Sequence, residues 1–236
     1  MTTDLQTAIN LIRDSRHILV LSGAGISKAS GIPTYRDTGG LWETGDNLKF
    51  SHAASFKENP NGFLDFWAGH RQQMCRARPN PAHFAIKELQ TKLPKSTLVT
   101  QNVDGLLQQA GCKEVLELHG NMRETRCMHC LPSKGKSLFG RCLRCFSRVR
   151  PGVVLFGENL SEEIYQAAKT GACGCDVILV VGTSALVYPA AELPVLAMRF
   201  GAKLIVLDPE PMLALAADVV LTGPAEKLLP ILFASV

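Results

Sequence analysis

The chain has 236 residues, of which 46% are hydrophobic and 19% charged, and its net charge at pH 7 is +4. This composition predicts a globular protein with a substantial core, and no apolar run reaches the length of a membrane span. Apart from a basic patch between Arg123 and Arg150, the charge is dispersed. We therefore predict neither a membrane nor a specific nucleic-acid partner.

The start of the chain and its cysteines bear on the compartment. The first residues lack the basic-then-apolar order of a signal peptide and the arginine-rich character of a transit peptide. Without an export signal, the eight cysteines indicate a reducing compartment, with metal ligands or buried thiols rather than disulfides. We expect a cytoplasmic protein.

A glycine-rich turn follows the first predicted strand. Residues 3–15 have apolar side chains at helical spacing, and the aliphatic run at 17–22 is typical of a buried parallel strand. Gly23 and Gly25 then let the backbone turn sharply and approach a ligand. A strand, this turn and a following helix N-terminus would suit a pyrophosphate, although a plain turn gives the same pattern. Because the third glycine and the ribose-binding acidic residue of dehydrogenases are missing, NAD would be bound differently here.

Most of the remaining chain alternates between predicted strands and helices. Asn80 and Pro81 are the cap and first turn of a clear helix, and further helices are predicted to begin at Ser161 and Pro189. The other predicted strands are 97–100, 115–118, 153–156, 177–181, 204–207 and, at the edge, 219–221.

This alternation predicts the α/β class, a parallel sheet covered on both faces, with ligands at the carboxyl ends of the strands. Two segments do not fit it: 34–74, which we interpret as short helices and loops, and 123–150. We assign these two to a smaller, discontinuous domain. Residues 1–33, 75–122 and 151–236 form the larger domain.

Two Cys-x-x-Cys pairs lie inside the second of these segments. Cys127 and Cys130 form one pair, and Cys142 and Cys145 form the other. Four thiolates at this spacing can surround one Zn²⁺ tetrahedrally, and they leave no open position for catalysis. Disulfides are the alternative, which a reducing compartment disfavours. We predict a structural zinc ribbon, with His129 as a bystander.

Polar residues follow three of the predicted strands. Gln101, Asn102 and Asp104 come after 97–100, His119 comes after 115–118, and Gly182, Thr183 and Ser184 come after 177–181. We expect these loops to converge on one ligand site, where His119 can serve as a general base near neutral pH. The alternatives are that Asp104 only caps the next helix, predicted over 103–110, and that His119 is structural.

Taken together, these stretches closely resemble the sirtuin family, the NAD-dependent protein-lysine deacylases. The matching pieces, in order, are 23–27, 31–36, 100–104, 119–120, the four cysteines, 153–158 and 182–184. The resemblance implies a Rossmann-like doubly wound parallel sheet with a small discontinuous helical and zinc-ribbon domain. It also implies NAD as co-substrate and one structural Zn²⁺. Residues 184–190 look most like the bacterial and mitochondrial desuccinylase-type branch.

The resemblance also implies residue roles. The acyl oxygen of an acyl-lysine protein or peptide would attack the ribose carbon as nicotinamide leaves, and His119 would be the base that activates a ribose hydroxyl. The products would be nicotinamide, 2′-O-acyl-ADP-ribose and free lysine. The implied NAD-binding residues are Gly23, Ala24, Gly25, Ile26, Ser27, Pro33, Thr34, Tyr35, Arg36, Trp42, Gln101, Asn102, Val103, Asp104, Gly182, Thr183, Ser184, Asp208 and Ala225. The implied substrate-binding residues are Trp67, His70, Val153, Phe156, Gly157 and Glu158.

Two places depart from the family pattern. Asp208 stands where most members have asparagine. A carboxylate still accepts hydrogen bonds from ribose hydroxyls and should repel a 2′-phosphate, which preserves the preference for NAD over NADP.

In the second place, Trp67 and His70 stand where the desuccinylase-type branch has tyrosine and arginine. Histidine is mostly neutral at pH 7, so we expect removal of acetyl or other neutral groups, with succinyl removal weak and declining as pH rises. The alternative is that both residues only pack the helix.

Two other functions remain open at this point. One is an NAD-dependent protein mono-ADP-ribosyltransferase. The other is a non-catalytic module that binds NAD or acyl-lysine, and the intact Asn102, Asp104 and His119 argue against it because a binding module needs no base.

Overall fold

The structure is a computed structural model that describes residues 3–34, 45–127, 129–130, 137–138 and 140–236. Its α-helices are α1 Thr3–Arg13, α2 Gly45–Phe50, α3 Ala53–Glu58, α4 Pro60–Arg76, α5 Pro81–Lys92, α6 Leu106–Gln109, α7 Glu162–Gly174, α8 Glu192–Arg199 and α9 Ala225–Ala234. Short 3₁₀ helices span Ala24–Ser30 and Ala214–Ala216. The strands are β1 His17–Ser22, β2 Lys95–Thr100, β3 Leu116–Glu117, β4 Gly120–Cys127, β5 Ser137–Leu138, β6 Arg141–Cys142, β7 Val149–Val153, β8 Val177–Val181, β9 Lys203–Asp208 and β10 Val219–Thr222.

Six parallel strands form the central sheet in the order β10-β9-β8-β1-β2-β3. The chain builds outward from β1 through β2 and β3, then returns to the other side of β1 with β8, β9 and β10. The strand order therefore reverses between β1 and β8. In doubly wound sheets the crevice at such a reversal, at the carboxyl ends of the strands, is where ligands bind.

Helices cover both faces of this sheet because its strands are apolar on both sides. On one face α1, α5 and α9 pack with buried residues such as Ile9, Ile86 and Phe233. On the other face α7 and α8 pack with Ala168 and Leu193. Burial of this apolar surface, at about 25 cal/mol per Å², is the main stabilising contribution. The predicted α/β class with a doubly wound parallel sheet is confirmed.

A third apolar cluster joins the helices α3 and α4 to the antiparallel pair β4–β7. Phe63 and Trp67 of α4 contribute to it, together with Val153 and Leu155. The described part of 34–74 holds the two six-residue helices α2 and α3, as predicted, but also most of α4, which has 17 residues and is not short. The division of the chain into two discontinuous domains stays a prediction. Within the described residues, no helix combines the length and apolarity needed to cross a bilayer.

The predicted strand at 153–156 is wrong. The strand is Val149–Val153, and it pairs antiparallel with β4 outside the central sheet. The apolar side chains of 153–156 indicated burial correctly, since Val153 and Leu155 are buried. They are buried in the third apolar cluster, however, and not between the central sheet and the helices that cover it. β4 itself was missed because Gly120–Cys127 is mostly polar and does not alternate.

Two predicted helices begin later than expected. The helix predicted over 103–110 is Leu106–Gln109, because Gly105 adopts a left-handed conformation with φ of 70° and Asp104 turns the chain before it. The helix predicted from Pro189 is Glu192–Arg199. Both helices are preceded by turns, and the turn before α6 places Asp104 near the edge of the sheet.

Candidate active site

The carboxyl ends of β1, β2, β8 and β9 surround a cavity of about 1280 Å³. It lies at the reversal of strand order, where the fold predicts a ligand. Most of the residues implied by the resemblance line it: Gly23, Ala24, Gly25, Thr34, Trp67, Gln101, Asn102, Val103, His119, Val153, Phe156, Gly157, Glu158, Gly182, Thr183, Ser184, Asp208 and Ala225. The loops that we predicted to converge on one site therefore line the same cavity.

The glycine loop after β1 packs directly on the loop after β8. Gly25 N–H donates to the carbonyl oxygen of Gly182 at 2.8 Å. A Cβ on Gly25 would lie 2.7 Å from the Cα of Gly182, which is too close for any side chain. Gly182 has φ of 61°, a conformation that favours glycine. The glycines therefore allow two backbones to touch, as well as leaving the cavity floor open to a ligand.

A buried polar network supports this loop from behind. Ser27 Oγ donates to Asp104 Oδ2 at 2.7 Å, and Asn102 Nδ2 donates to Gly23 O at 2.9 Å and to Ser27 Oγ at 3.2 Å. Asp104 Oδ1 accepts from the Leu106 N–H at 2.8 Å. Asp104 therefore turns the chain into α6 and braces the glycine loop from behind, while its role in binding a ligand stays a prediction.

His83 completes this network and was missed by sequence reasoning. The Asn80 N–H donates to Nδ1 of His83, so Nε2 carries the proton and faces Ser27 Oγ at 3.5 Å. Burial lowers the pKa of His83 to about 4, opposed by the nearby charge of Asp104. Asn80, expected only as a helix cap, also donates to Ile26 O at 2.8 Å. The helix signal at Asn80 was visible, but its contact with a loop 50 residues earlier was not.

His119 lies on the cavity wall with one defined tautomer. Its Nδ1 lies 2.9 Å from the carbonyl oxygen of Gln101. Because a carbonyl can only accept, Nδ1 carries the proton and the lone pair is on Nε2. Burial lowers the pKa of His119 below its ordinary value, and the hydrogen bond to Gln101 partly opposes this. The imidazole is therefore neutral at pH 7 and able to accept a proton.

The other predicted residues are divided between the cavity rim and its surroundings. Ile26 and Ser27 are buried behind the glycine loop, and Pro33 precedes the lining residue Thr34. His70 lies beside Trp67, and its ring centroid is 4.4 Å from that of Phe66 with the two planes tilted by 40°. Its Nδ1 is hydrogen-bonded to Phe66 O. Tyr35, Arg36 and Trp42 lie outside the described residues.

The far end of the cavity carries several carboxylates that only partly appeared in the sequence analysis. Asp208, Glu210 and Glu226 line it, together with Lys28. Burial raises the pKa of Asp208; the hydrogen bond from the Glu210 N–H and the charge of Lys28 oppose this rise, and the charge of Glu210 adds to it. A strand-terminal Asp was a visible signal, whereas Glu210, Glu226 and Lys28 had no pattern to mark them.

The four cysteines of the two Cys-x-x-Cys pairs come together. Their sulfur atoms all lie within 4.8 Å of one another, and Cys127 Sγ is 3.5 Å from Cys145 Sγ. Tetrahedral zinc–thiolate bonds of about 2.3 Å place sulfurs about 3.8 Å apart. Cys127 and Cys142 are buried, so four thiolates without a metal would be costly there. The donor set and spacing fit one structural Zn²⁺.

A Rossmann-like sheet with a glycine loop and a large cavity at its switch point defines a nucleotide-binding α/β protein. Residues 23–189 match the model of the Sir2 family. The chain is 41% identical to an NAD-dependent protein deacylase of Methylococcus capsulatus, over 94% of this chain and 92% of that protein. The chain therefore belongs to the Sir2 family, the sirtuins.

Solved structures agree with this assignment. A Sir2 homologue in complex with NAD is similar with a TM-score of 0.88 and 35% identity, covering 97% of this chain and 92% of the other. A mutant Sir2 homologue in complex with 2′-O-acetyl ADP ribose gives a TM-score of 0.88 and 36% identity, covering 99% and 96%. The predicted family is confirmed.

Proposed function

We propose that this protein is an NAD-dependent protein-lysine deacylase that yields nicotinamide, 2′-O-acyl-ADP-ribose and free lysine. The observation that carries the proposal is His119, whose unprotonated Nε2 lies on the wall of a cavity at the dinucleotide-binding edge of the sheet. The relatives named as NAD-dependent deacylases and the Sir2 complexes with NAD and acetyl-ADP-ribose support it.

The chain contributes binding, positioning and one proton acceptor. Gly23 and Gly25 would leave the floor open to the pyrophosphate, and Asn102, held by Gly23 O and Ser27, lines the cavity where it would hold the nicotinamide ribose. When bound, NAD would supply the electrophilic ribose carbon that the acyl oxygen attacks as nicotinamide leaves, and the ribose 2′-oxygen that carries the acyl group in the product. His119 Nε2 accepts the proton of a ribose hydroxyl, and the Gln101 carbonyl holds the ring in the tautomer that this step needs.

Asp208 supports a preference for NAD over NADP. Its carboxylate lines the adenosine end together with Glu210 and Glu226. It would accept hydrogen bonds from ribose hydroxyls, whereas a 2′-phosphate would meet three carboxylates and one ammonium, that of Lys28.

For the compartment, we propose the cytoplasm, because four zinc-binding thiolates persist where disulfides do not form.

The acyl end of the cavity supports a preference for neutral acyl groups. Val103, Trp67, Val153 and Leu155 line the cavity and belong to one apolar cluster. Among the described lining residues the one permanent cation is Lys28, which lies by Asp208 at the other end. A succinyl carboxylate at the apolar wall would be desolvated without a partner, which is costly.

Acetyl-lysine peptide should therefore be turned over at least about ten times faster than the matching succinyl-lysine peptide, since one unpaired charge costs more than 1.4 kcal/mol. Mass spectrometry of one peptide carrying either group, incubated with NAD at about pH 8, measures the ratio. His70→Ala should leave the ratio unchanged, and His70→Arg is the variant that tests whether a cation there would admit succinyl. A wild-type preference for succinyl that survives His70→Ala would contradict the neutral pocket.

The pH dependence should follow from the lowered pKa of His119. A base acts in its neutral form, so kcat/KM for acyl-peptide rises with pH through that pKa and then levels off. Because burial moves the pKa below the ordinary value of about 6.5, the acid limb should lie below that pH and the rate should be flat from about pH 7 to 8. An acid limb with a midpoint above pH 7 would show that another group controls the step.

A nicotinamide-release assay with and without acetyl-lysine peptide tests the function. Release should require the acyl group, and unmodified peptide should give almost none. A mono-ADP-ribosyltransferase would release nicotinamide with a non-acylated acceptor and label it, and a binding module would release none.

A further inference from the structure

We propose that Arg150 and Glu158 are positioning residues, whose buried ion pair fixes the segment 153–158 and, through Val154, the catalytic His119. This rests on the proposed function, because the segment is one wall of the acyl-peptide site. It assigns Glu158 an internal partner rather than a contact with substrate.

Arg150 is the centre of the arrangement. Its side chain is fully buried near the start of β7, and its Nη2 donates to Glu158 Oε1 at 2.5 Å. Its Nη1 donates to Val153 O at 2.7 Å and to Pro151 O at 3.2 Å. One guanidinium therefore binds both ends of the segment 153–158, and its planar fork is suited to several acceptors at once.

Glu158 uses both carboxylate oxygens inside the protein. Oε1 accepts from Arg150, and Oε2 accepts from the Leu155 N–H at 3.0 Å and lies 3.5 Å from Arg126 Nη1. Its side chain is 13% exposed, so water competes little for these bonds. Charge-assisted bonds with buried partners are stronger than neutral ones. The carboxylate is therefore committed to shaping the turn at Gly157.

The fixed segment contacts the catalytic residue directly. The Val154 N–H donates to the carbonyl oxygen of His119 at 2.8 Å, and Gly120 pairs with Val153. On its other side Phe156 pairs with 51–53, through Phe156 N–H to Ser51 O and Ala53 N–H to Phe156 O. A shift of this segment would therefore move the backbone of His119 and the cavity wall together.

The test compares Arg150→Met, Glu158→Gln and the double variant Arg150→Met/Glu158→Leu with the wild type. Arg148→Met is the matched control, because Arg148 precedes the same strand but is exposed, and its side chain donates to Asn61 Oδ1 at 2.9 Å. Thermal melting establishes which variants fold, and replacement of both charges by apolar groups is the change that a buried pair tolerates best.

In the folded variants, kcat/KM for acetyl-peptide should fall by about ten- to a hundred-fold, since small misplacements of reacting groups have effects of this size. The KM for NAD should stay within about twofold. Amide hydrogen exchange of 153–158 should accelerate, and Arg150→Lys should recover part of the activity because an ammonium restores the ion pair but not the fork. Arg148→Met should match the wild type.

A folded Arg150→Met or double variant with wild-type peptide kinetics and unchanged exchange would overturn the proposal. A loss of activity confined to Glu158→Gln would also overturn it, because it would indicate direct contact between Glu158 and the substrate. Failure of all three variants to fold would overturn it as well, because the pair would then be a folding requirement only. If the wild type released no nicotinamide, the proposed function would fail, and hydrogen exchange would still decide whether the pair fixes the segment.

Discussion

Replacement of His119 by alanine should reduce deacylation by about 10²- to 10⁴-fold, the usual contribution of a positioned general base. Nδ1–H of the ring donates a hydrogen bond to Gln101 O, and its loss should cost only about 1 kcal/mol of folding free energy. The chain should therefore remain folded and still bind NAD. Steady-state kinetics with acetyl-peptide, alongside thermal melting and NAD binding, measure the three effects.

His129→Ala provides the matched control, because His129 is exposed in the ribbon. It should retain wild-type kinetics. A folded His119→Ala protein that binds NAD and turns over peptide at a near-normal rate would contradict the assignment of His119 as the general base. The proposal would then need another proton acceptor on the cavity wall.

Removal of zinc should have the largest effect on folding. Structural zinc sites contribute apparent binding free energies on the order of 10–16 kcal/mol in zinc-finger peptides at pH 7. Cys127 and Cys142 are buried, and Cys127 pairs with Val149 between β4 and β7. We expect chelation or Cys142→Ser to unfold the ribbon and loosen β7, which leads into the segment 153–158, so that activity is lost as well.

Metal analysis, thermal melting and hydrogen exchange measure the loss of zinc and of the folded ribbon. Cys75→Ser is the control, since Cys75 is an exposed cysteine of α4 outside the cluster; it should keep one zinc per chain and the wild-type melting curve. Metal-free protein that melts at the wild-type temperature would show that the four cysteines do not hold a structural metal.

The sequence predicted those features that depend on local pattern. Aliphatic runs at 17–22 and 177–181 gave central strands because a buried parallel strand must be apolar on both faces. The cysteine spacing predicted the cluster because one metal needs four ligands in reach. The position of His119 after a strand placed it at the sheet edge, where the structure has it.

Features that depend on distant contacts were not predictable in this way. The bond between His83 and Ser27 joins residues 56 positions apart, and neither position carries a pattern for the other. The buried Arg150 resembled any surface arginine in a basic stretch, because only the fold shows that Glu158 returns to it. The 153–156 run was apolar for packing against α4, which a strand prediction cannot distinguish from packing in a sheet.

The most direct test of the account is to follow the acyl group. Acetyl-lysine peptide and NAD are incubated with the protein, and peptide, nicotinamide and ADP-ribose species are quantified by mass spectrometry. We predict equal amounts of deacetylated peptide, nicotinamide and 2′-O-acetyl-ADP-ribose. A peptide or protein that keeps its acetyl group and gains ADP-ribose, or free acetate formed without any consumption of NAD, would contradict the proposed function.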